Sequence, residues 1–454
     1  MRRNYESEEN MGSGATEAVM GEKPRVPDGG WGWLVVVGGL ITFLLWSGFL
    51  KAMGVLLPSL TVGLTHNTAL TGEVAAMVAG VRSLTGPLAG PIGERFGYRP
   101  VVMVMSLIAA CGIISASFAQ TTIQFLLCLS VISGVGFSAP IILTKAMIGR
   151  YFDHRFALAM SLASAGDSLS MIIIAPTAQV LLDTYGWRGA LLLYGGLCLH
   201  IIAAGALLRN PPSSDEDKSG YTSIPSADEI TDPTKATDQA PARSKSLLET
   251  FNLSIFTKFV FWMIGLVMLG TYLIGISWYL YFIPHAKAKG FDSSQAVTFV
   301  AAAGVGQIIT KIVWGKLIDQ RVVSVRFGLV LCITLCSLAL AIDPFLNTFW
   351  PMMIVTIIFG SFFGLVYCLV DVLAKEIAGE DGLASAFGYI DLVGGIARIF
   401  LGSVPGWIYE RTGSYDIAFV VLGGLYLIVL MPVIAEWIIH RRQVLSNEKH
   451  SDKS

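Results

Sequence analysis

The sequence predicts an all-α polytopic membrane protein with twelve transmembrane helices in two six-helix halves. Hydrophobic residues make up 54% of the 454 residues, the mean hydropathy is +0.66, and 14% of the residues are charged, whereas a soluble chain averages about 25% charged residues. A bilayer core about 30 Å thick requires about 20 mostly apolar residues per helix, and twelve such stretches occur. The one long polar segment among them, 209–257, divides them six and six.

Each predicted helix is an apolar stretch that lies between polar residues. In the first half the stretches are 32–57, 72–92, 100–119, 125–149, 156–182 and 189–208. In the second half they are 258–283, 296–318, 326–345, 350–374, 383–406 and 416–440. Proline removes a backbone hydrogen bond and bends a helix. We therefore expect bends at Pro87, Pro91, Pro140, Pro176 and Pro405.

The polar segments outside the helices define the predicted domains. These are a tail over 1–30, a six-helix bundle over 31–208, a linker over 209–257, a second bundle over 258–440 and a tail over 441–454. The linker combines five prolines with Ser, Thr, Asp and Lys, which is the composition of a disordered segment. The tail over 1–30 is polar, so the first apolar stretch itself is expected to direct membrane insertion.

Arginines in the short loops predict the orientation. The loops near 93–99, 150–155 and 320–326 contain Arg95, Arg99, Arg150, Arg155, Arg321 and Arg326, whereas the opposite loop at 120–124 has no charge. Because cytoplasmic loops carry an excess of Lys and Arg, the linker and both tails are predicted to be cytoplasmic. The sequon at Asn252 is then expected to stay unglycosylated.

The two halves repeat a short loop motif. Gly90-Pro-Ile-Gly-Glu94-Arg95-Phe-Gly97-Tyr-Arg99 follows the second helix, and Gly315-Lys-Leu-Ile-Asp319-Gln-Arg321 follows the eighth. Each motif places an acid four residues after a glycine. Internal duplication of six helices is typical of transporters.

Three motifs resemble those of a known family. The stretch from Gly90 to Arg99 resembles the loop motif of the major facilitator superfamily. Two others resemble signatures of its monocarboxylate transporter family (solute carrier family 16). These are Asp28-Gly29-Gly30-Trp31-Gly32-Trp33 before the first helix and Tyr151-Phe152-Asp153-His154-Arg155 before the fifth.

The resemblance implies the major facilitator fold, alternating access, and transport of small carboxylates, in several members together with a proton. It aligns the family's first-helix lysine with Lys51. It aligns the eighth-helix Asp and Arg with Gln307 and Lys311. Since an amide does not titrate, this chain departs from the proton-coupled pattern. Some members of the family also require a single-span ancillary glycoprotein to reach the plasma membrane.

Charged residues inside the predicted helices indicate a polar cavity. Each costs at least about 2.5 to 3.5 kcal/mol at the bilayer centre unless it faces a cavity or a partner. The cations are Lys51, Arg82, Lys145, Lys311 and Arg398, and the acids are Asp167, Asp371 and Asp391. The excess of two positive charges favours an anionic substrate.

The depth of each charged residue along its helix predicts which residues form ion pairs. At 1.5 Å per residue, Asp167 and Arg82 lie about 16 Å from the cytoplasmic end, Asp391 about 12 Å and Lys311 about 10 Å. The implied fold places the second helix opposite the eleventh and the fifth opposite the eighth. We therefore predict the ion pairs Arg82–Asp391 and Asp167–Lys311, which either break during transport or are static neutralising pairs.

The remaining polar residues receive individual predictions. Arg398, about 22 Å deep, is free to bind a substrate carboxylate, and Asp167 is a candidate proton carrier in place of the missing eighth-helix acid. Lys145 and Asp371, about 5 to 8 Å deep, are expected to reach the cytoplasmic surface.

Lys51 lies about 29 Å along its helix, near the outer mouth, and either extends to the surface or contacts substrate. Tyr367 is a substrate-contact candidate on a helix that lines the cavity in the implied fold. Aromatic residues at the outer end of the seventh helix are predicted to form an interfacial belt rather than a substrate gate. They are Trp278, Tyr279, Tyr281 and Phe282.

These observations predict a plasma-membrane carrier of small monocarboxylates such as lactate or pyruvate. A zwitterion such as creatine, carnitine or an amino acid, carried without proton coupling, is the alternative substrate, because Asp167 and Asp391 can hold its cationic end. A non-transporting sensor on the same fold is the alternative function. The sequence contains no HExxH, GxSxG or phosphate-loop motif, so an enzyme is not expected. No cofactor or metal is implied, and the net charge of -1 argues against a nucleic-acid partner.

Overall fold

The computed structural model describes residues 28–65, 68–211, 253–379, 382–401, 408, 411–412 and 415–451. The regular secondary structure of these residues is helical throughout. Most of the predicted tail over 1–30 and of the linker over 209–257 lies outside the described residues. The same is true of Asn252 and Pro405, so the predictions made for these segments stay predictions.

Before the linker, the described residues form a first group of eight helices. They are α1 (Gly32–Leu60), α2 (Thr68–Leu84), α3 (Gly86–Phe96), α4 (Tyr98–Ser117), α5 (Thr122–Leu126), α6 (Ser133–Tyr151), α7 (Phe156–Cys198) and α8 (His200–Ala206). A π-helical turn, Leu127–Ile132, joins α5 to α6. Another, Thr61–Thr65, extends α1.

After the linker, the described residues form a second group of seven helices. They are α9 (Phe259–Ala288), α10 (Ser293–Asp319), α11 (Val325–Ile342), α12 (Phe349–Ala378), α13 (Leu383–Leu401), α14 (Tyr415–Ile428) and α15 (Leu430–Ser451). Short 3-10 turns cover Leu253–Thr257 and Asp343–Phe345. Helix α15 continues into the predicted tail over 441–454.

Ten helical spans in the described part of the chain are long and apolar enough to cross a membrane. The two remaining predicted spans, the second and the eleventh, are helical but do not reach this length. The second is divided at Thr85 into α2 and α3, because Pro87 in the first turn of α3 cannot donate a backbone hydrogen bond. The eleventh is apolar over Leu383–Ile396, and its predicted end lies outside the described residues.

Helix α7 contains the fifth and sixth predicted spans without an intervening loop. The change of direction occurs at Gly186, whose φ of 68° and ψ of 177° are not helical. This backbone conformation is essentially restricted to glycine, because a Cβ atom would clash with the neighbouring peptide groups. A single residue therefore separates two spans that the sequence predicted as helices 156–182 and 189–208.

The two groups of helices meet along a few defined contacts. Helices α2 and α3 pack against α13, and α7 packs against α10 and α12. The predicted contacts between the second and eleventh helices and between the fifth and eighth are therefore confirmed. Where α13 crosses α3, a Cβ atom built on Gly388 of α13 would lie 2.6 Å from the carbonyl oxygen of Gly86. Only glycine permits backbones to approach this closely.

Candidate functional site

A cavity of about 210 Å³ lies between the two groups of helices. Its lining comes from α1, α2, α6 and α7 of the first group and from α9, α10, α12 and α13 of the second. Seven charged side chains line it: Arg82, Lys145, Asp167, Lys311, Asp371, Asp391 and Arg398. Because charge inside a membrane protein is costly unless it is paired or functional, this cavity is the candidate site.

The first charge cluster, which we term the lysine centre, consists of Lys51, Asp167 and Lys311. Lys51 Nζ lies 3.2 Å from Asp167 Oδ1, and it donates a hydrogen bond to the Asp167 carbonyl oxygen at 2.9 Å. Lys311 Nζ lies 3.7 Å from Asp167 Oδ2 and donates to the Ser164 carbonyl oxygen at 3.0 Å. Ser47 Oγ donates to the same carboxylate. One carboxylate is thus shared by two ammonium groups, one from each group of helices.

The position of Lys51 differs from the linear depth estimate. That estimate separated Lys51 from the level of Asp167 by about 13 Å, yet their charged atoms are 3.2 Å apart. Side chains on a helix slant toward its N-terminus, so the long stem of Lys51 turns back into the protein. Its ammonium donates hydrogen bonds to Ser47 Oγ at 2.8 Å and Ser170 Oγ at 2.6 Å. Lys51 therefore does not extend to the outer surface.

Gln307, at the position of the family's eighth-helix acid, is not part of the described cavity lining. Its side chain is 1% exposed, and its Oε1 accepts a hydrogen bond from Ser168 Oγ at 2.7 Å. It fills the space beside Gly364, where a Cβ atom would overlap the amide. The structure therefore places Gln307 where α7, α10 and α12 pack together.

The second charge cluster, which we term the arginine centre, consists of Arg82, Asp391 and Arg398. Arg82 Nη2 lies 2.7 Å from Asp391 Oδ1, so the structure brings the predicted pair together. The Arg82 guanidinium also stacks 4.8 Å from the centre of the Trp46 ring. Asp391 Oδ2 and Arg82 Nε are buried without a hydrogen-bond partner in the described residues.

Arg398 belongs to the arginine centre but has no acidic partner in the described part of the chain. Its Nη1 donates a hydrogen bond to Ser83 Oγ at 2.9 Å, and its guanidinium lies 3.8 Å from the centre of the Tyr272 ring. The same Ser83 oxygen accepts a hydrogen bond from Arg82 at 3.1 Å. The structure therefore holds two guanidinium groups beside one carboxylate.

Lys145 and Asp371 form a third ion pair inside the cavity, so the prediction that they reach the cytoplasmic surface is wrong. Lys145 Nζ lies 2.8 Å from Asp371 Oδ1 and 2.9 Å from Oδ2. Helices α6 and α12 end at Tyr151 and Ala378, beyond the predicted ends at 149 and 374. The two residues therefore lie about 9 to 10 Å from the helix ends, and each finds its partner across the cavity.

A row of aromatic rings on α9 and α12 follows the cavity wall. Ring centres are 5.8 Å apart for Tyr272 and Tyr367, 5.6 Å for Tyr367 and Phe363, and 6.1 Å for Phe363 and Tyr279. Tyr272, Tyr279 and Tyr367 line the cavity, which agrees with the position predicted for Tyr367. Lys51 Nζ lies 5.8 Å from the centre of the Tyr279 ring.

The prediction of an interfacial belt is therefore wrong for most of the aromatic cluster on α9. Trp278 is 3% exposed and Phe282 is 1% exposed, and their rings stack with centres 4.9 Å apart. Tyr279 lines the cavity. A helix that is apolar on all sides presents aromatic residues equally to lipid and to protein, so periodicity alone does not distinguish these positions.

The two family signatures pack against each other, away from the cavity. Asp28 Oδ1 accepts backbone hydrogen bonds from Asp153 at 2.8 Å and Arg155 at 3.3 Å, and the Asp28 N–H donates to the Tyr151 carbonyl oxygen at 2.9 Å. The rings of Trp33 and Phe152 meet edge to face at 4.9 Å. Trp31 Nε1 donates to the Leu207 carbonyl oxygen at 2.8 Å. Asp28 and Trp33 thus fix the start of α1 to the loop before α7, Trp31 fixes it to the end of α8, and Gly29 lies in the turn before α1.

The loop motif lies on the same face of the bundle. This basic face comprises the motif residues 94–99, the segment 150–155 and the segment 319–326. Glu94 Oε1 accepts hydrogen bonds from Tyr98 at 2.6 Å and Arg150 at 2.5 Å, whereas Arg95 and Arg99 are exposed. Gly97 has a φ of 86°, and Gly90 packs against Ser385 of α13.

Contacts at the basic face also join the two groups of helices. Asp319 Oδ1 and Oδ2 accept hydrogen bonds from the backbone N–H groups of Ala157 at 2.9 Å and Leu158 at 2.8 Å. The Asp319 carboxylate on α10 thus binds the N-terminus of α7. Lys375 of α12 lies 3.2 Å from Asp153 and donates to the Phe152 carbonyl oxygen.

The fold and the cavity together define a class of protein. Many membrane-spanning helices in two contacting groups, with a charged cavity between them, are the architecture of a multi-pass membrane transporter. The sequence model of the Major Facilitator Superfamily matches residues 35–402 and 289–453. The chain belongs to this superfamily, whose members are transporters and not enzymes.

Relatives at the sequence level confirm the resemblance to the monocarboxylate transporters. The chain is 29% identical to monocarboxylate transporter 11 of Homo sapiens over 88% of its own length and 82% of that protein. It is 28% identical to monocarboxylate transporter 12 of Rattus norvegicus, with 87% and 83% covered. Its identity to monocarboxylate transporter 13 of Rattus norvegicus is also 28%, with 90% and 89% covered.

Solved structures confirm the major facilitator fold. The chain superimposes on the human organic anion transporter MFSD10 (TETRAN) with a TM-score of 0.63 at 15% identity, covering 88% of this chain and 98% of that one. It superimposes on the transporter FucP in the outward conformation with a TM-score of 0.61 at 14% identity, covering 88% and 97%.

Proposed function

We propose that this protein carries small monocarboxylates, such as lactate or pyruvate, across the plasma membrane by alternating access. The observation that carries the proposal is Arg398, a cavity-lining guanidinium with no carboxylate within 4.0 Å in the described residues. Such a group forms strong, often bidentate hydrogen bonds with a carboxylate. The relatives named monocarboxylate transporters support the same substrate class.

The proposed architecture has twelve transmembrane helices, with bundles over 31–208 and 258–440 and a linker over 209–257. Both tails and the linker are cytoplasmic in this proposal, because the basic face carries the loop arginines. The hydrogen bonds of Asp319 then close the cytoplasmic side. The cavity in this structure would be reached from the outside.

Coupling to a proton requires a titratable group in the site. Gln307 does not titrate, so we assign this role to Asp167, whose carboxylate is shared between Lys51 and Lys311. Protonation of Asp167 would release both ammonium groups and weaken the contact between α7 and α10. Asp391 is a further acid that links the two halves, and it acts as a gate by pairing with Arg82.

A zwitterionic substrate is the second candidate, and a specific observation favours it. Asp391 Oδ2 is buried without a hydrogen-bond partner in the described residues, and Asp391 lines the cavity. Burying an acceptor without a partner is unfavourable. The ammonium or guanidinium end of creatine, carnitine or an amino acid would supply the missing donor while its carboxylate binds Arg398.

The experiment is uptake of radiolabelled lactate, pyruvate and creatine into expressing oocytes at pH 6 and pH 7.5. We expect saturable uptake of at least one of the two monocarboxylates, and a loss of more than about tenfold in Arg398→Gln, because a charged hydrogen bond contributes about 1.5 to 3 kcal/mol. Arg441→Gln removes the same charge from an exposed position on α15 and is expected to leave uptake unchanged. Surface biotinylation normalises every variant, with and without a co-expressed single-span glycoprotein.

The pH dependence tests the role of Asp167. If Asp167 carries the proton, uptake by the wild-type chain rises as the pH falls, and Asp167→Asn loses that rise. Full pH dependence in Asp167→Asn would exclude this role. Uptake of creatine alone would favour the zwitterion. Substrate binding to the surface-expressed protein without flux would favour a sensor.

A further inference from the structure

Two charge clusters of the same composition border the cavity: Asp167 and Lys311 of the lysine centre line it, with Lys51 bound behind Asp167, and all three residues of the arginine centre line it. The lysine centre has two ammonium groups and one carboxylate, and the arginine centre has two guanidinium groups and one carboxylate. The third pair, Lys145 and Asp371, is balanced. In each centre, therefore, one positive charge is not neutralised by an acid among the described residues. One of these two surplus charges belongs to the lysine centre and the other to the arginine centre.

The internal repeat explains why the centres resemble each other. In the lysine centre, an acid on the fifth predicted helix pairs with a cation on the eighth. In the arginine centre, an acid on the eleventh predicted helix pairs with a cation on the second. These pairs are Asp167 with Lys311, and Asp391 with Arg82. Six positions in helix order separate the fifth helix from the eleventh and the second from the eighth. The duplication thus places equivalent pairs on opposite walls of one cavity.

The spacing of the aromatic rings on α9 gives an estimate of the distance between the two centres. Arg398 lies 3.8 Å from the centre of the Tyr272 ring, and Lys51 Nζ lies 5.8 Å from the centre of the Tyr279 ring. Tyr272 and Tyr279 are seven residues apart on α9, which corresponds to about 10 Å along the helix. The two centres therefore lie on the order of 10 Å apart along the direction of α9, with tyrosine rings on the wall between them.

We infer that the cavity accepts a dicarboxylate with a short aliphatic chain, one carboxylate at each centre. The inference rests on the proposed transport of carboxylates and goes beyond it, because a dicarboxylate is not among the monocarboxylates proposed above. Carboxyl carbons at the two ends of a four- to six-carbon chain are about 4 to 6 Å apart, and each charged contact adds about 3 Å. The ends of such a molecule reach both centres, and its methylene groups lie against the tyrosine rings.

Charge balance distinguishes this substrate from the two in the proposed function. A bound monocarboxylate neutralises one of the two surplus positive charges and leaves the other in the closed cavity. A zwitterion has no net charge, so both surplus charges stay uncompensated. A dianion neutralises both centres. Because an uncompensated charge in a dehydrated cavity is costly, the doubly charged substrate binds more tightly than a singly charged molecule of the same length.

The test compares two molecules that differ by one charge. Succinate and its monoamide, succinamate, have the same chain length, and the amide replaces one carboxylate. Half-saturating concentrations for uptake of each labelled compound are measured in oocytes at pH 7.5, beside labelled lactate. We expect a value for succinate that is at least tenfold lower than that for succinamate.

Variants assign the preference to the arginine centre. Arg398→Gln is expected to remove most of the difference between the two compounds, and Arg398→Lys is expected to retain part of it. Arg441→Gln is the matched control and is expected to preserve the full difference. A full difference in Arg398→Gln would overturn the assignment of the second carboxylate to this centre.

The outcomes separate this inference from the proposed function. Uptake of lactate or succinamate with no preference for succinate would overturn the inference and leave carboxylate transport standing. Absence of uptake for all three compounds in surface-expressing oocytes would overturn both. The comparison in the wild-type chain does not depend on the folding of any variant.

Discussion

At the scale of single residues, the charges in the cavity are held by partners from distant parts of the chain. Arg82 and Asp391 are separated by 309 positions, and the Arg82 side chain is 4% exposed. The pair thus has little access to solvent. Removing one member of a buried pair typically costs about 3 to 5 kcal/mol, because the other charge stays behind without compensation.

Charge reversal tests this pair. Arg82→Asp places a second carboxylate beside Asp391, and Asp391→Arg places three guanidinium groups together, so each single reversal is expected to reduce uptake more than about tenfold. The double reversal restores the attraction, and we expect it to recover at least part of the uptake, measured per molecule at the surface. A double variant no better than either single variant would argue against direct pairing.

At the scale of helices, the termini and breaks depend on backbone chemistry. The division of the second predicted span at Thr85 follows from Pro87, and the kink within α7 follows from Gly186. Apart from the adjoining residues of its own chain segment, no heavy atom lies within 4 Å of a Cβ atom built on Gly186. The requirement for glycine at this position is therefore conformational and not a matter of space.

A pair of glycine substitutions in α7 tests the conformational requirement. Gly186→Ala is expected to cost about 1 to 3 kcal/mol, because φ is +68° at this position. The matched control is Gly196→Ala, on the same helix, where a Cβ atom also has no neighbour within 4 Å and no positive φ occurs. There, alanine is expected to be neutral or stabilising by up to about 1 kcal/mol.

The measurement is the thermal unfolding midpoint of the detergent-solubilised protein. We expect a lower midpoint for Gly186→Ala and an equal or higher one for Gly196→Ala. Equal midpoints for the two variants would show that the backbone at Gly186 does not require glycine.

At the scale of the whole molecule, contacts at the basic face hold the two groups of helices together. The Asp319 carboxylate accepts two backbone hydrogen bonds at the N-terminus of α7, where the helix dipole favours negative charge. Because α7 and α10 belong to different groups, these bonds must break if the groups separate at this face.

We predict that Asp319→Ala shifts the protein toward a state that is open at the basic face. Spin labels at His154 and Val322, both exposed in loops of that face, would report a larger population at long distance. Asp292→Ala is the control, since Asp292 caps its own helix by accepting from the Gln295 N–H at 2.7 Å. It is expected to cost about 1 kcal/mol in stability without changing the distance distribution. Identical distributions for the two variants would contradict the prediction.

The sequence by itself determined the helical architecture and the types of charge in the cavity. Helix positions follow from local hydropathy, because each span must satisfy the same bilayer thickness. The counts of cations and acids follow from the same spans. The Arg82–Asp391 and Asp167–Lys311 pairs were also predictable, since the members of each pair lie at similar depth on helices that face each other in the fold.

Only the tertiary structure decided how Lys51, Lys145 and Asp371 are paired. Lys51 binds Asp167 because its side chain slants back toward the N-terminus of α1, and Lys145 binds Asp371 because the fold brings α6 and α12 to opposite sides of one cavity. Gln307 lies in a helix contact instead of the cavity lining. Such pairings depend on side-chain direction and on packing between residues more than 100 positions apart, and neither is encoded in the hydropathy of a single span.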